Sequence, residues 1–263
     1  LEKNINLKIK KDKNSWLNDN EIDDVKKTIN IVKTKKFDWI IIDHYGISSI
    51  WETEIKKYIK NIFVIDDYVN RKHNCSYILN NLLNNKSDYN GYLNDDCKIL
   101  NGKEYIILDK IYLNDFIVND NKLKTINVFM GGVDKENETL KIIKKCNEIN
   151  KNLNYDLNFD VIIGPGNPNY NSICKFCNNN NNFTIFYNLK NMKNIFLKSD
   201  LCVGSAGITV FERCLLQVPS LLVCFDENQR VVLDGFISAG VTEYIGTVKD
   251  NYLEKLEKFI FEY

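Results

Sequence analysis

The segment Asp200-Leu-Cys-Val-Gly-Ser-Ala-Gly-Ile-Thr-Val-Phe-Glu-Arg-Cys214 sets glycines, hydroxyls and a carboxylate where a strand gives way to a helix. Leu201 and Val203 suit a buried strand. Gly204 and Gly207 would let the backbone take conformations closed to other residues. From Ile208 the apolar positions Val210, Phe211, Cys214 and Leu215 recur at helical spacing. A helix that begins just past a glycine turn presents unpaired N–H groups and the positive end of its dipole, a combination that binds phosphate. Gly204, Ser205, Ala206, Gly207 and Thr209 are therefore candidate phosphate contacts, and the Ser205 hydroxyl is a further donor. Glu212 lies one turn into the helix, where a carboxylate can accept hydrogen bonds from a ribose diol. The chemistry indicated is binding of a nucleotide or nucleotide-sugar. Close packing of strand on helix is the alternative reading of the same turn.

Other apolar runs end in small or polar residues in the same manner: Met130-Gly131-Gly132, Ile163-Gly164 and Phe225-Asp-Glu-Asn228-Gln229. Ligands of open α/β sheets bind outside the carboxyl ends of the strands, which adds Gly131, Gly132, Gly164, Asn228 and Gln229 to the candidates. The amide side chains of Asn228 and Gln229 suit neutral polar groups or phosphates. They equally suit a polar turn. Asp43-His44-Tyr45-Gly46 follows another buried run. There Asp43 or His44 could assist proton transfer, histidine titrating nearest neutrality. Tyr45 could contact a ligand or place a water. The plainer reading has His44 bonding its own turn. Asp66-Asp67 could pair for a metal or for acid–base work, but reads mainly as the polar end of a strand. His73 reads as structural.

The elements that must hold these residues alternate short apolar strands with amphipathic segments, the pattern of an α/β fold with a mostly parallel sheet. Asp23–Lys33 and Ile50–Ile59 are expected helices. Asp38–Asp43, Asn61–Asp67, Cys75–Leu79 and Cys97–Leu100 are expected strands. Glu104–Leu123 is the expected joint and Asn119–Lys124 its linker, so that residues 1–122 and 123–263 form two Rossmann-like domains. In the second, Ile126–Met130, Phe159–Ile163, Phe183–Phe186, Leu201–Val203, Ser220–Phe225 and Val241–Ile245 are expected strands. Asn137–Cys146, Met192–Lys198 and Val231–Ala239 are expected helices, the last ending at the C-cap glycine Gly240.

A length of 263 residues favours two domains. Lys plus Arg and Asp plus Glu are both 35, a neutral balance that argues against a nucleic-acid binder held by phosphate contacts. No apolar run is long enough to cross a bilayer. The longest, Cys214–Phe225, is broken by Gln217, Pro219 and Ser220. No membrane partner is expected, and a reduced cytoplasmic setting is the expectation for the eight cysteines. Cys146, Cys202, Cys214 and Cys224 fit core positions. Cys174-Lys-Phe-Cys177 is a single C-x-x-C pair, and no metal is expected on it. The five-asparagine run Asn178–Asn182 reads as a solvated loop.

Taken in order, several motifs resemble the UDP-2,4-diacetamido-2,4,6-trideoxy-β-L-altropyranose hydrolase family of pseudaminic acid biosynthesis. They are Ile42-Asp-His-Tyr-Gly-Ile47, Ile65-Asp-Asp67, Arg71-Lys-His-Asn-Cys75, Ile78-Leu-Asn80 and Met130-Gly-Gly-Val-Asp134. They continue with Ile163-Gly-Pro-Gly-Asn-Pro168, Asn191-Met192, Gly204–Glu212 and Glu227-Asn-Gln229. The resemblance implies a GT-B fold, two Rossmann-like domains facing a cleft. It implies a UDP-sugar substrate, no cofactor, hydrolysis at the anomeric carbon with release of UDP, and a place in surface-glycan synthesis such as flagellin glycosylation. On it, the Gly131-Gly132 turn and the Ser205–Thr209 helix start would hold the diphosphate, Glu212 the ribose, and Asn228 and Gln229 the acetamido groups or the phosphates. The family opens with a strand and a G-x-G-H-x-x-R loop whose histidine is the proposed catalytic residue. No such motif stands here, so the expectation is a first domain lacking its first strand, loop and helix, with an exposed sheet edge and poorer solubility. The alternatives are a GT-B glycosyltransferase using a UDP-sugar and an inactive UDP-binding fragment.

Overall fold

The computed structural model describes residues 17, 20–66, 69–80, 89–113, 115–116, 122–225, 233, 236–237 and 240–262, with Lys103 through its backbone alone. The chain divides into two compact units, Leu1–Ile107 and Leu108–Tyr263. The division falls upstream of the expected 122/123 boundary, and the turn Lys110–Tyr112 belongs to the second unit.

Among the described residues, the first element of the first unit is α1 (Glu21–Thr34), started by Asn20, whose side chain accepts from the Asp23 N–H. Glu21, Asp23 and Asp24 in the first turn and Lys33 in the last complement the helix dipole. Val25 and Ile29 are its buried face, worth about 1.5–3 kcal/mol each. β1 (Trp39–Ile42), α2 (Ser49–Ile55), β2 (Asn61–Ile65), β3 (Tyr77–Asn80) and β4 (Lys98–Asn101) follow. The four strands pair in parallel in chain order, β1-β2-β3-β4. α1 is tied to α2 by the Trp51 indole, which donates to Asp24 at 2.8 Å, and by the Glu21 carboxylate, which accepts from the Ser48 N–H. β1 pairs only with β2 among the described strands. Beside it Trp39 and Ile41 are exposed, Ile41 to 69%. A hollow of about 560 Å³ there is lined by Thr28, Ile40, Ile41, Asp43 and His44 among others. An exposed edge with apolar side chains was the expectation for this sheet.

The second unit holds β5 (Thr125–Phe129), α3 (Glu138–Asn152), β6 (Asn158–Ile163), α4 (Tyr170–Asn178), β7 (Phe183–Tyr187), α5 (Lys193–Phe196), β8 (Leu201–Ser205), α6 (Thr209–Leu215), β9 (Ser220–Cys224), β10 (Glu243–Thr247) and α7 (Tyr252–Glu262). Its sheet is parallel throughout, in the order β10-β9-β8-β5-β6-β7. The chain winds outward from β5 to β7, returns to the other side of β5, and winds outward again. This is a doubly wound sheet with its reversal between β5 and β8. β8 and β9 are buried on both faces, as the continuous apolar runs require.

Two helices were not expected. α4 occupies a stretch to which the sequence reading assigned no element, with Ile173 and Cys177 on its buried face and Cys174 half-buried. α7 packs on α3 through Leu256 and Ile260. The asparagine run ends α4 and forms the turn into β7, with bonded side chains: Asn180 Nδ2 donates to Phe176 O at 2.8 Å and Asn182 Nδ2 to Leu157 O at 3.2 Å. α3 runs past its expected end at Cys146. Of the expected helix Val231–Ala239, the described residues are Leu233, Phe236 and Ile237; Gly240 has φ +67°, as a C-cap glycine does.

Candidate functional site

Three turns meet at the carboxyl edge of the second sheet. Gly131, just past β5, has φ +94°, a conformation that favours glycine, and a Cβ on it would lie 3.4 Å from the Ser205 hydroxyl at the end of β8. Gly164, just past β6, packs on Gly132: a Cβ there would stand 2.4 Å from the Gly132 Cα and carbonyl oxygen. Gly166 N donates to that same carbonyl at 3.2 Å. The turns after β5 and β6 are thus locked together by backbone contact, with the Ser205 hydroxyl of β8 beside Gly131. Gly132 and Gly207 face open space.

The turn after β8 corrects one sequence reading. Neither Gly204 nor Gly207 takes a positive φ. Gly204 is required by crowding instead: a Cβ would meet Arg213 Nη1 at 2.4 Å and Phe129 O at 2.7 Å. Past it, the Ser205 carbonyl accepts from Gly207 N at 3.1 Å and from Arg213 Nη2 at 3.2 Å. The amides of Ala206, Ile208 and Thr209 donate to no acceptor among the described residues, and α6 has no side-chain cap. Ala206 and Thr209 are buried to within 5% and 7%. Ile208 is exposed, and the first amides of a helix, which lack an intrahelical acceptor, are able to receive one from a ligand. On α6 itself Val210 and Phe211 are buried, whereas Leu215 is exposed and Cys214 half-buried.

The start of α3 differs. Asp134, at φ +41° and buried, accepts from Glu138 N at 2.8 Å and Thr139 N at 3.0 Å. That helix end is filled by the chain's own carboxylate, so the neighbouring Gly131-Gly132 turn offers backbone donors without a free helix end behind it.

Glu212 is half-buried, and its Oε2 is enclosed without a hydrogen-bond partner. Burial raises its pKa above the usual carboxylate range, and the adjoining Tyr112 hydroxyl opposes that rise. Tyr112 was not singled out from sequence. It is buried on the turn Lys110–Tyr112, and its hydroxyl accepts from Met192 N at 3.2 Å. Burial pushes that hydroxyl up to about 12, so it stays protonated and able to donate to the carboxylate.

Asp43, His44 and Tyr45 lie in the first unit, just past β1. Asp43 is exposed. His44 Nδ1 accepts from Gly46 N at 3.0 Å, which is the turn-bonding reading. The Arg71 guanidinium stands 5.6 Å from the centre of the Tyr45 ring, and its Nε donates to Ile47 O at 2.9 Å. Asp66 is buried rather than facing solvent. It pairs with Arg71 at 2.7 Å and with His73 Nε2 at 2.8 Å, while Glu52 meets His73 Nδ1 at 2.6 Å. Burial alone would lower the His73 pKa, but the bonds to Asp66 and Glu52 outweigh it and raise the value to about 9. This is a buried ionic staple joining α2, the end of β2 and the approach to β3. Asn228, Gln229 and Asp67 lie outside the described residues. No group of three or more His, Cys, Asp or Glu among the described residues could hold a metal ion.

Two parallel-sheet α/β units, the second doubly wound, place the chain in the GT-B-like class of folds. The profile of the glycosyltransferase family 28 C-terminal domain matches residues 125–256, and the chain belongs to that family. It is 29% identical over 204 residues to the UDP-2,4-diacetamido-2,4,6-trideoxy-beta-L-altropyranose hydrolase of Campylobacter jejuni, covering 77% of this chain and 72% of that protein. It is 30% identical over 210 residues to a Helicobacter pylori protein named pseudaminic acid cytidylyltransferase and UDP-2,4-diacetamido-2,4,6-trideoxy-beta-L-altropyranose hydrolase, covering 78% of this chain and 37% of that one. Among solved structures it is similar to S. aureus MnaA with UDP, at a TM-score of 0.59 and 13% identity over 91% of this chain and 70% of that one. It is likewise similar to Methanocaldococcus jannaschii UDP-GlcNAc 2-epimerase in complex with UDP-GlcNAc and UDP, at 0.57 and 15% over 92% and 73%. At such identities the likeness is one of fold. No helix among the described residues is long and apolar enough to cross a membrane.

Proposed function

We propose that the chain hydrolyses a UDP-linked 2,4-diacetamido-2,4,6-trideoxy sugar at its anomeric carbon, in the cytoplasm, releasing UDP and the free sugar of pseudaminic acid synthesis. The observation that carries the reading is the set of unbonded amides at Ala206, Ile208 and Thr209, beside the Gly131-Gly132 turn at the sheet's reversal. The named hydrolase 29% identical to this chain supplies the reaction. Water attacks the anomeric carbon, the bond from that carbon to the phosphate oxygen breaks, and its electron pair leaves with the diphosphate. Charge then grows on that oxygen, where prearranged N–H groups stabilise it without reorganising. Gly131, Gly132, Gly164, Gly204, Ser205, Ala206, Gly207 and Thr209 form the diphosphate cradle in this reading. Glu212 takes the ribose hydroxyls on its unpartnered oxygen, and Asn228 and Gln229 meet the acetamido groups. Of the first unit, Tyr45 contacts the sugar and Asp43 or His44 takes the water proton.

A UDP-sugar assay for free UDP tests the reaction, and calorimetry tests the site. Glu212→Ala should weaken UDP binding roughly 10- to 100-fold, the loss of a hydrogen bond to a charged group, and leave the fold intact. Equal affinity in the variant rejects the ribose role. The match to a glycosyltransferase domain profile favours a second reading, transfer of the sugar to an acceptor. UDP release that requires an added acceptor would establish that reading over hydrolysis. UDP binding without release would leave an inactive UDP-binding chain.

A further inference from the structure

Arg213 has no part in the reaction just described, yet it is the largest fully buried side chain among the described residues, 1% exposed. Its Nε donates to Thr209 O and its Nη2 to Ser205 O, both at 3.2 Å. Nη1 is enclosed and donates to nothing. No carboxylate forms an ion pair with it among the described residues, although Glu212 is its neighbour in the chain. Burial lowers its pKa, but a guanidinium remains charged in proteins. A buried charge whose hydrogen-bond partners are all neutral carbonyls is costly; the Glu212 carboxylate attracts it through space without forming an ion pair and offsets only part of that cost, so a further negative charge at the turn would be favoured.

The guanidinium fills the space that a side chain on Gly204 would need. That places it under the turn 204–209, whose Ala206, Ile208 and Thr209 amides are unbonded. Holding the Ser205 and Thr209 carbonyls inward fixes how that turn is presented. We propose that Arg213 is a positioning residue for an anionic ligand: its buried charge is balanced by the diphosphate of a bound nucleotide, without touching it, and its two carbonyl bonds hold the turn that does. The inference rests on the nucleotide-binding reading of that turn. Charge at this depth acts through a medium of low polarisability, so its influence reaches across the turn. A role in packing alone would affect all ligands of the site alike.

The test compares UDP, UMP, uridine and inorganic pyrophosphate on the whole chain, on Arg213→Gln and on Arg213→Lys, by calorimetry, with ligand-observed NMR for uridine. Arg213→Gln should lose at least tenfold in UDP affinity, less for UMP, and nothing for uridine. Arg213→Lys should recover part of the UDP loss, because it restores the charge. Equal loss across all three, or none, overturns the proposal. Should Arg213→Gln fail to fold, the unaltered chain still decides: pyrophosphate should raise its melting temperature and an equal ionic strength of chloride should not. Absence of that rise overturns the proposal as well. UDP binding without hydrolysis would sink the hydrolase reading and leave this one standing. A pyrophosphate effect lost in Arg213→Gln, with no uridine binding, would sink the nucleotide reading alone.

Discussion

The two units solve the same problem, a parallel sheet flanked by helices, with opposite treatment of their polar residues. In the first, the described strands run β1 to β4 in one direction, and its buried charges answer one another: Glu52 and Asp66 clamp His73, and Asp66 pairs with Arg71. In the second, the strand order reverses between β5 and β8, and the polar groups there wait for a partner: the amides of the turn after β8, Glu212 Oε2 and Arg213 Nη1. A reversal forces two successive turns to diverge, which leaves backbone groups facing open space. The ion network of the first unit is closed within the fold, and the open groups at the reversal of the second are where the nucleotide is proposed to bind.

The contrast can be broken by experiment. His73→Ala strands two buried carboxylates and should cost the first unit about 3–5 kcal/mol. Hydrogen exchange should then quicken in β2 and β3 while β5 and β6 keep their protection; equal loss in both sheets would erase the distinction. The same staple should respond to pH. A histidine raised from 6.5 to about 9 in the folded chain contributes its full stabilisation below 6.5 and loses it as pH climbs through 9. The loss should approach roughly 3 kcal/mol at 1.36 kcal/mol per pH unit. All three tryptophans, Trp16, Trp39 and Trp51, lie in the first unit, so urea unfolding followed by tryptophan fluorescence reads it alone. A flat profile from pH 6 to 10 would dismiss the staple.

In the second unit, Gly164→Ala drives a methyl into the Gly132 backbone and should cost about 1–3 kcal/mol, seen as a lower melting temperature together with weaker UDP binding. Gly132→Ala meets no protein atom within 4 Å, so it should leave the melt unchanged and weaken UDP alone. Unchanged UDP affinity there would move the ligand elsewhere. Smallest is Tyr112→Phe, which removes one hydroxyl from the Glu212 carboxylate; about 0.5–1.5 kcal/mol, or roughly a two- to tenfold loss of UDP affinity, is expected by calorimetry.

Much of this architecture was legible because strands and their ends announce themselves. Val203-Gly204, Ile163-Gly164 and Met130-Gly131 mark carboxyl ends where apolar runs meet small residues, and the structure brings all three together. α7 carried a readable signal in Tyr252, Leu256 and Ile260, spaced by four, that went unassigned. α4 was hidden by the asparagines and prolines around it, although Ile173 and Cys177 share the same spacing. Contacts made across the fold left no local trace. Tyr112 reaches Glu212 from far along the chain, and Asp134 caps α3 from a left-handed conformation that no spacing rule anticipates. Gly204 was noticed for the wrong reason, since the cause is a guanidinium nine positions later together with the Phe129 carbonyl on the neighbouring strand.

The contact of Gly164 with Gly132 constrains how this sequence can drift. Where a side chain blocks a mutation, a second change at that side chain can make room, and a lineage passes through. Here the obstacle is main chain, the Gly132 Cα and carbonyl carbon and oxygen, which every amino acid carries. No compensating substitution at position 132 removes it, so a side chain at 164 is accommodated only by a shift of the main chain itself.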